Sequence, residues 1–249
     1  MTAAPRVLLR RLRPGLATLA ALLLSTAARA APDVLILTDA SGAALNGATH
    51  VSNLVTAFTN TGASVTTNTT ELTNGAAMSP ALVAGWDAVL VVTVTGAALD
   101  LADVPVLQAA VSSAASRAFL FFTDACAGCT VLSANRVLPI LNLVGGWSAT
   151  LGAQDNTYPF NATLNGAGPY NAAFAALPVI RAGAYSPLLG VPAPNVIYTA
   201  DAAVDGPMAV VAPGSGGSAC LFMVTDVTEF WTSGGAITVA QANGLAPRS

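Results

Sequence analysis

The sequence contains no lysine and a single histidine, His50, and charged residues make up only 8% of its 249 residues. Nucleic acids and anionic membrane surfaces are bound by clustered positive charge, which this chain lacks after its first thirty residues. With one histidine and three cysteines, of which only two are closely spaced, the chain also lacks the ligands of a structural zinc site. The composition therefore argues against nucleic acid and anionic membranes as partners and against a zinc-stabilised fold.

The first thirty residues have the pattern of a secretory signal peptide. Four arginines lie within the first thirteen positions, and an apolar run over residues 16–28 follows them. This run is too short to cross a bilayer, and Ala28-Arg29-Ala30 supplies a small-x-small cleavage site. We therefore predict cleavage after Ala30 and a secreted or periplasmic protein.

Residues 31–249 have the length of one ordinary domain. Five of the nine arginines lie within the predicted signal peptide, so four remain against twelve acidic residues, a net charge of minus eight. No later segment is apolar for long enough to span a membrane. We expect a single acidic domain with no transmembrane segment in the mature chain.

Three stretches of the chain end in the same way, with a short apolar run followed by Thr-Asp. The three final aspartates are Asp39, Asp124 and Asp226. Short apolar runs bounded by turns are typical of strands that are buried on both faces of a sheet. In an open α/β sheet, ligands bind at the carboxyl ends of the parallel strands. We therefore predict that the three carboxylates border one ligand-binding crevice.

Helix and strand patterns alternate along the first part of the chain. From Val51, apolar residues recur at i, i+3, i+4 and i+7, which predicts a helix over residues 47–60 that Gly62 ends. Strands are predicted over residues 34–38, 63–67 and 86–92 and from Ala118; the other helices are a short one at Ser79-Pro80, one opened by Asp103 and one over residues 131–143. This alternation predicts right-handed βαβ crossovers and a parallel sheet covered on both sides.

The later part of the chain has a different pattern. Residues 147–194 are rich in glycine, proline and asparagine, and we interpret them as an irregular insertion. Strand patterns return at residues 196–199, 208–212 and 219–225, and the last two form a predicted hairpin. The predicted fold class is α/β, with a doubly wound, mostly parallel sheet flanked by helices in three layers and a late antiparallel hairpin.

The order of these segments resembles that of the glutamine-amidotransferase-like superfamily, whose class I members have a flavodoxin-like α/β fold. The resemblance is carried by the first strand Val34-Leu35-Ile36-Leu37, by a strand introduced by Trp86-Asp87-Ala88-Val89, and by a late strand that ends in Asp226 close to Phe230 and Trp231. It spans residues 33–231 and implies one amidotransferase-like domain after the signal peptide.

The segment Asp124-Ala125-Cys126-Ala127-Gly128 falls where this superfamily has its nucleophile elbow. The resemblance implies Cys126 as a nucleophile, but members that use it also carry a histidine after the late strands to activate the thiol. The only histidine here is His50, in the first predicted helix. We therefore favour a non-catalytic domain, and the alternative is a hydrolase or isomerase with Cys126 as nucleophile and Asp39 as acid or base.

A second, weaker resemblance is to the metal-ion-dependent adhesion site of von Willebrand factor A domains. It is carried by Asp39-Ala40-Ser41, by Thr95 and by Thr123-Asp124. This resemblance implies oxygen ligands from Asp39, Ser41, Thr95 and Asp124 around Mg²⁺ or Ca²⁺. Ala43 stands where the pattern has a second serine, and Ala125 stands in place of a glycine. No cofactor is expected on the leading interpretation, and Ca²⁺ or Mg²⁺ is possible on this one.

The cysteines allow several interpretations. Cys126 and Cys129 form a Cys-x-x-Cys pair, and export to an oxidising compartment favours a disulfide between them. A redox or nucleophilic role, free thiols or metal binding are the alternatives. Cys220 begins a buried strand and is predicted to be a small core residue.

The aspartates at the strand ends also have two interpretations, since each can cap the turn that follows its strand or contribute to a shared crevice. Ser41 and Glu229 are further candidates for the crevice wall. The leading hypothesis is a secreted, non-catalytic ligand-binding or interaction domain. Its partner is a small molecule, a glycan or a protein bound at the strand ends.

Overall fold

The fold is built on one nine-stranded sheet with helices on both faces. The computed structural model describes residues 31–38, 47–93, 99–113, 117–123, 132–156, 160–166, 168–175, 178–183, 185–201, 204–214 and 219–226. The strands are β1 Asp33–Thr38, β2 Ser64–Asn68, β3 Ala88–Val92, β4 Ala118–Phe122, β5 Thr150–Leu151, β6 Phe160–Leu164, β7 Val179–Ala182, β8 Leu188–Leu189, β9 Val196–Asp201, β10 Gly206–Ala212 and β11 Cys220–Val224. The helices are α1 Gly47–Asn60, α2 Asp103–Ser112 and α3 Leu132–Gly145, with short 3₁₀ turns at Glu71–Thr73, Asn171–Phe174 and Ala193–Asn195.

The sheet has a parallel half and an antiparallel half. The strand order is β2-β1-β3-β4-β11-β10-β9-β6-β7, and β5 pairs with β8 in a separate ribbon. The first five strands of this order are mutually parallel, whereas each pair from β11 to β7 is antiparallel. The predicted three-layer α/β fold is therefore confirmed, and the antiparallel part is larger than the predicted hairpin.

Alternation of side chains along the strands divides the core into two layers. Val34 and Ile36 of β1 pack with Leu54 of α1 on one face of the sheet. Leu35 and Leu37 pack on the other face, in the layer that α2 and α3 cover. Both layers are apolar because a parallel sheet with helices on both faces leaves no strand face in contact with water.

Helix α1 ends as the sequence predicts. Gly62 has φ of +86°, the left-handed conformation that glycine adopts without strain. The backbone N–H of Ala63 donates to the carbonyl of Phe58, and that of Gly62 donates to Thr59. These two bonds form a Schellman motif, which turns the chain directly into β2.

The segment predicted to be an irregular insertion supplies two strands of the main sheet. β6 pairs with β9 and with β7, which places β7 at one edge. Phe174, from a 3₁₀ turn in this segment, stacks on Phe222 of β11 with ring centroids 5.5 Å apart. Tyr198 meets the same Phe174 edge-on at 6.1 Å. The segment therefore covers the face of the sheet that α1 leaves open.

One local prediction is wrong. Residues 79–82 form a turn rather than a helix, in which Ser79 Oγ accepts a hydrogen bond from the N–H of Ala81. In α2, Leu107 and Val111 are buried, and Ala110 is half-buried against the same core layer. Of the helices within the described residues, none combines the length and apolarity that crossing a bilayer requires.

Candidate functional site

The carboxyl ends of four parallel strands lie side by side at one edge of the sheet, which we call the carboxyl edge. Thr38, the last residue of β1, is level with Val92 of β3. Val92 is level with Phe122 of β4, which is level with Val224 of β11. The three Thr-Asp endings therefore follow strands that run in the same direction and end at the same edge. The endings after β4 and β11 are neighbours, and β3 separates β1 from them.

The threonines at this edge hold neighbouring strand ends together. Thr93, after β3, donates its backbone N–H and its hydroxyl to the carbonyl of Phe122, at 3.0 and 3.2 Å. Thr123, after β4, makes the same pair of bonds to the carbonyl of Val224, at 3.1 and 2.8 Å. Thr225 repeats the arrangement to Met208 of β10. The recurring threonine is thus a structural clamp between strand ends.

Thr38 is the exception among these threonines. Its side chain is 2% exposed, and its Oγ1 has no hydrogen-bond partner among the described residues. A buried hydroxyl without a partner costs about 1–3 kcal/mol. Thr38 ends β1, which lies between β2 and β3 in the sheet. The strand order reverses here, because β2 lies on one side of β1 and the later strands β3 and β4 lie on the other. In sheets with this order, ligands bind at the switch point between the first and third strands.

Asp226 lies at the carboxyl edge but is fully buried. Its Oδ2 accepts a hydrogen bond of 2.6 Å from the backbone N–H of Gly183, the residue after β7. Four strand spacings, about 19 Å in a flat sheet, separate β7 from β11. The antiparallel half therefore curls back toward β11, and Asp226 fastens it there.

The other predicted site residues lie outside the described residues. They are Asp39, Ser41, Thr95, Asp124, Cys126, Cys129 and Glu229. The convergence of the aspartates, the nucleophile, the disulfide and the metal site remain predictions. What the structure describes is the strand ends that precede Asp39 and Asp124 in the chain.

A buried carboxyl group that the sequence did not single out as functional lies at the start of α2. Asp103 is fully buried, and its Oδ1 accepts a hydrogen bond of 2.7 Å from the N–H of Met78. Its Oδ2 has no partner within the described part of the chain. Burial raises the pKa of Asp103 to about 6, and the negative charges of Asp100 and Glu71 add to this. In the sequence, the feature that could have pointed to Asp103 is its position at the start of a predicted helix among apolar residues.

An arginine borders the same region. Arg136 of α3 donates from Nη1 to the carbonyl of Leu99, which precedes Asp100. The bond fixes the end of the loop that connects β3 to α2.

Solved structures with a similar fold include two proteins that align over most of this chain. A ThuA-like protein from Bacteroides uniformis ATCC 8492 aligns with a TM-score of 0.53 and 11% sequence identity, over 87% of this chain and 91% of its own. A cytoplasmic protein from Salmonella typhimurium aligns with a TM-score of 0.52 and 9% identity, over 85% and 96% respectively. ThuA-like proteins have a glutamine-amidotransferase-like fold. The fold of this chain is therefore amidotransferase-like.

At these identities, the likeness concerns the fold alone. No protein-family model matches the sequence, and no curated protein is significantly similar to it. The superfamily resemblance predicted from the strand order is thus supported at the level of the amidotransferase-like fold. The function of the site depends on this chain's own residues.

Proposed function

We propose that the protein is a secreted, non-catalytic binding domain with an amidotransferase-like fold. Its ligand is a small hydroxylated molecule, such as a sugar or a short glycan, held at the carboxyl edge between β1 and β3. The observation that carries this proposal is the buried hydroxyl of Thr38, which has no partner among the described residues at that switch point. A ligand hydroxyl would supply the missing hydrogen bond.

The chemistry of the neighbouring sequence supports a polar ligand. Thr38 can donate one hydrogen bond and accept others. Asp39 and Ser41 follow it closely in the chain and add acceptors and a further hydroxyl. A site that hydrogen-bonds a ligand hydroxyl discriminates strongly against an analogue that lacks it, because its own polar groups then stay unpaired. This is the basis for a specific sugar or glycan rather than an apolar ligand.

The proposed lack of catalysis rests on the sequence. An elbow cysteine needs a base to activate it, and the only imidazole of the chain belongs to His50. The backbone of His50 lies in the first turn of α1 rather than after the late strands. In the superfamily, the activating histidine follows the late strands. The given sequence has no histidine there, so no imidazole at that position can activate Cys126.

The test is a thermal-unfolding screen of the mature protein against mono- and oligosaccharides, followed by calorimetry with any that stabilise it. Thr38→Val removes the hydroxyl at nearly constant shape, and Thr38→Ser keeps the hydroxyl. We expect Thr38→Val to weaken binding about tenfold or more and Thr38→Ser to keep most of it. Equal affinity of wild type and Thr38→Val would refute the site, and a screen without any stabilising sugar would refute the ligand class.

A further inference from the structure

A cavity lies at the end of the parallel strands opposite to the carboxyl edge, next to the residues that precede β3 and β4. Its volume is about 260 Å³, and it opens between helix α2 and the turn that precedes β3. The turn contributes Pro80, Val83 and Ala84, and α2 contributes Val106 and Ala110. These walls are apolar, so the body of a ligand that fits here has to be apolar as well.

The sequence of α2 explains why this cavity exists. Leu107 and Val111 are buried in the core beneath the helix. Val106, Ala109 and Ala110 form a second apolar stripe, turned toward the cavity. Residues three and four positions apart share a helix face, so α2 has two apolar faces. The core buries the first completely and the second only in part, since Val106 and Ala110 are half-buried against it.

One positive charge lines the cavity. The Arg117 guanidinium donates from Nε to the carbonyl of Trp86, at 2.6 Å, and from Nη2 to the carbonyl of Val83. It also lies over the Phe119 ring, 5.2 Å from its centroid. These contacts fix the guanidinium in place, and among the described residues no acceptor is bound to Nη1.

This charge is poorly compensated. Arg117 is half-buried, and burial lowers its pKa, whereas the negative charge of Asp87 acts in the opposite direction. Within the described part of the chain no carboxylate forms an ion pair with Arg117. A half-buried cation whose contacts are neutral carbonyls is stabilised by an anion that can approach its free edge.

We propose that this cavity binds a small carboxylic acid with an apolar body of about six to eight carbons. The carboxylate accepts hydrogen bonds from the free edge of Arg117, and the aliphatic body packs between the turn before β3 and the second stripe of α2. Planar guanidinium groups match carboxylate geometry, and the apolar walls select against small hydrophilic anions. The site is independent of the carboxyl edge and of the function proposed for it.

The experiment is isothermal titration calorimetry of the mature protein with octanoate, for which we expect a dissociation constant on the order of 0.1–1 mM. Octanol tests the charge, acetate tests the apolar body, and inorganic phosphate tests a general anion site. We expect each to bind at least about tenfold more weakly than octanoate, since each lacks one of the two contacts.

Two variants locate the site. Ala110→Leu fills the cavity without touching the bonds of Arg117, and we expect it to weaken octanoate binding more than about tenfold. Arg117→Lys keeps a charge but loses the planar fork, and we expect it to weaken binding as well. Asp201→Asn, at an exposed position outside the cavity, serves as the control and should leave octanoate binding unchanged.

The proposal is overturned if octanoate at about 10 times the upper end of that expected range gives no binding heat. It is also overturned if octanol or phosphate binds as tightly as octanoate, or if folded Ala110→Leu binds octanoate like the wild type. Thermal unfolding of each variant shows whether it is folded. If Arg117→Lys does not fold, Ala110→Leu still decides the outcome.

Discussion

Asp103 gives the sharpest prediction for stability, because its carboxyl group is buried in an apolar layer and, among the described residues, is bonded through one oxygen only. The variant Asp103→Asn keeps an acceptor for the Met78 N–H and removes the ionisable group. We expect this variant to be more stable than the wild type at neutral pH, because the wild type must ionise a buried carboxyl group there. Loss of a negative charge at the start of α2 offsets part of this gain.

The sign follows from the pKa of Asp103, which rises from an ordinary value of 3.8 to about 6 in the folded protein. The folded state therefore holds the proton more tightly than the unfolded state. The stability that this group contributes is fully present below about pH 4 and is lost as the pH rises through about 6. Relative to Asp103→Asn, the wild type should lose stability across this window.

The magnitude follows from the size of the shift. In the absence of screening by solvent, this rise in pKa corresponds to a change of about 3 kcal/mol in the free energy of unfolding. Beside Asp103, Leu101 is exposed and Ala102 is half-buried, so solvent screens the charge in part and we expect about 1.5 kcal/mol. The difference in free energy of unfolding between Asp103→Asn and the wild type should grow by this amount between about pH 4 and pH 7.

The assay is urea unfolding followed by circular dichroism at several pH values across this window. Asp201, whose side chain is exposed, provides the control variant Asp201→Asn. A stability difference for Asp103→Asn that is constant with pH, or that shrinks as the pH rises, would refute the reasoning. So would a control that shows the same pH-dependent gain.

Three further predictions concern the fold and the nucleophile. Thr123→Val removes the buried hydroxyl that bonds to Val224 and should lower the free energy of unfolding by about 1–2 kcal/mol in urea titrations, and no measurable loss would contradict the clamp. At Gly62 an added methyl group would meet open space, but the backbone φ is +86°. Calorimetry of Gly62→Ala should therefore show a loss of about 1 kcal/mol in the free energy of unfolding from backbone strain alone. An unchanged melting temperature would count against the Schellman motif. Cys126→Ala should leave sugar binding unchanged if the domain is non-catalytic, and loss of a measured hydrolytic turnover in this variant would establish the enzyme alternative.

The elements predicted most accurately are those whose neighbours are close in sequence. Helix α1 begins and ends where its apolar periodicity and Gly62 indicate, because both signals act within a few residues. The strands β1, β3 and β4 were recognised as continuous apolar runs, since burial on both faces removes the polar alternation. The strands β6 and β7 were missed because they are short, lie among glycine and proline, and depend on β9 for pairing.

The candidate site shows the same division. The sequence indicated that three strands with matching ends meet at one edge, and the parallel register of β1, β4 and β11 agrees with this. It did not distinguish the threonines that clamp strands from Thr38, whose hydroxyl has no partner among the described residues. That distinction depends on which carbonyl lies opposite, and for Thr123 the carbonyl belongs to a residue 101 positions away.

By itself, the sequence determined the α/β class, the order of the first strands and helices, and the edge at which a ligand site is expected, because hydrophobic periodicity and turn residues act locally. Only the tertiary structure decided how far the antiparallel half curls, where Asp226 finds its partner 43 residues away, and which buried polar atoms lack partners among the described residues. Those outcomes depend on long-range packing, in which a polar group is satisfied or left unpaired by residues that its own neighbourhood in the chain does not specify.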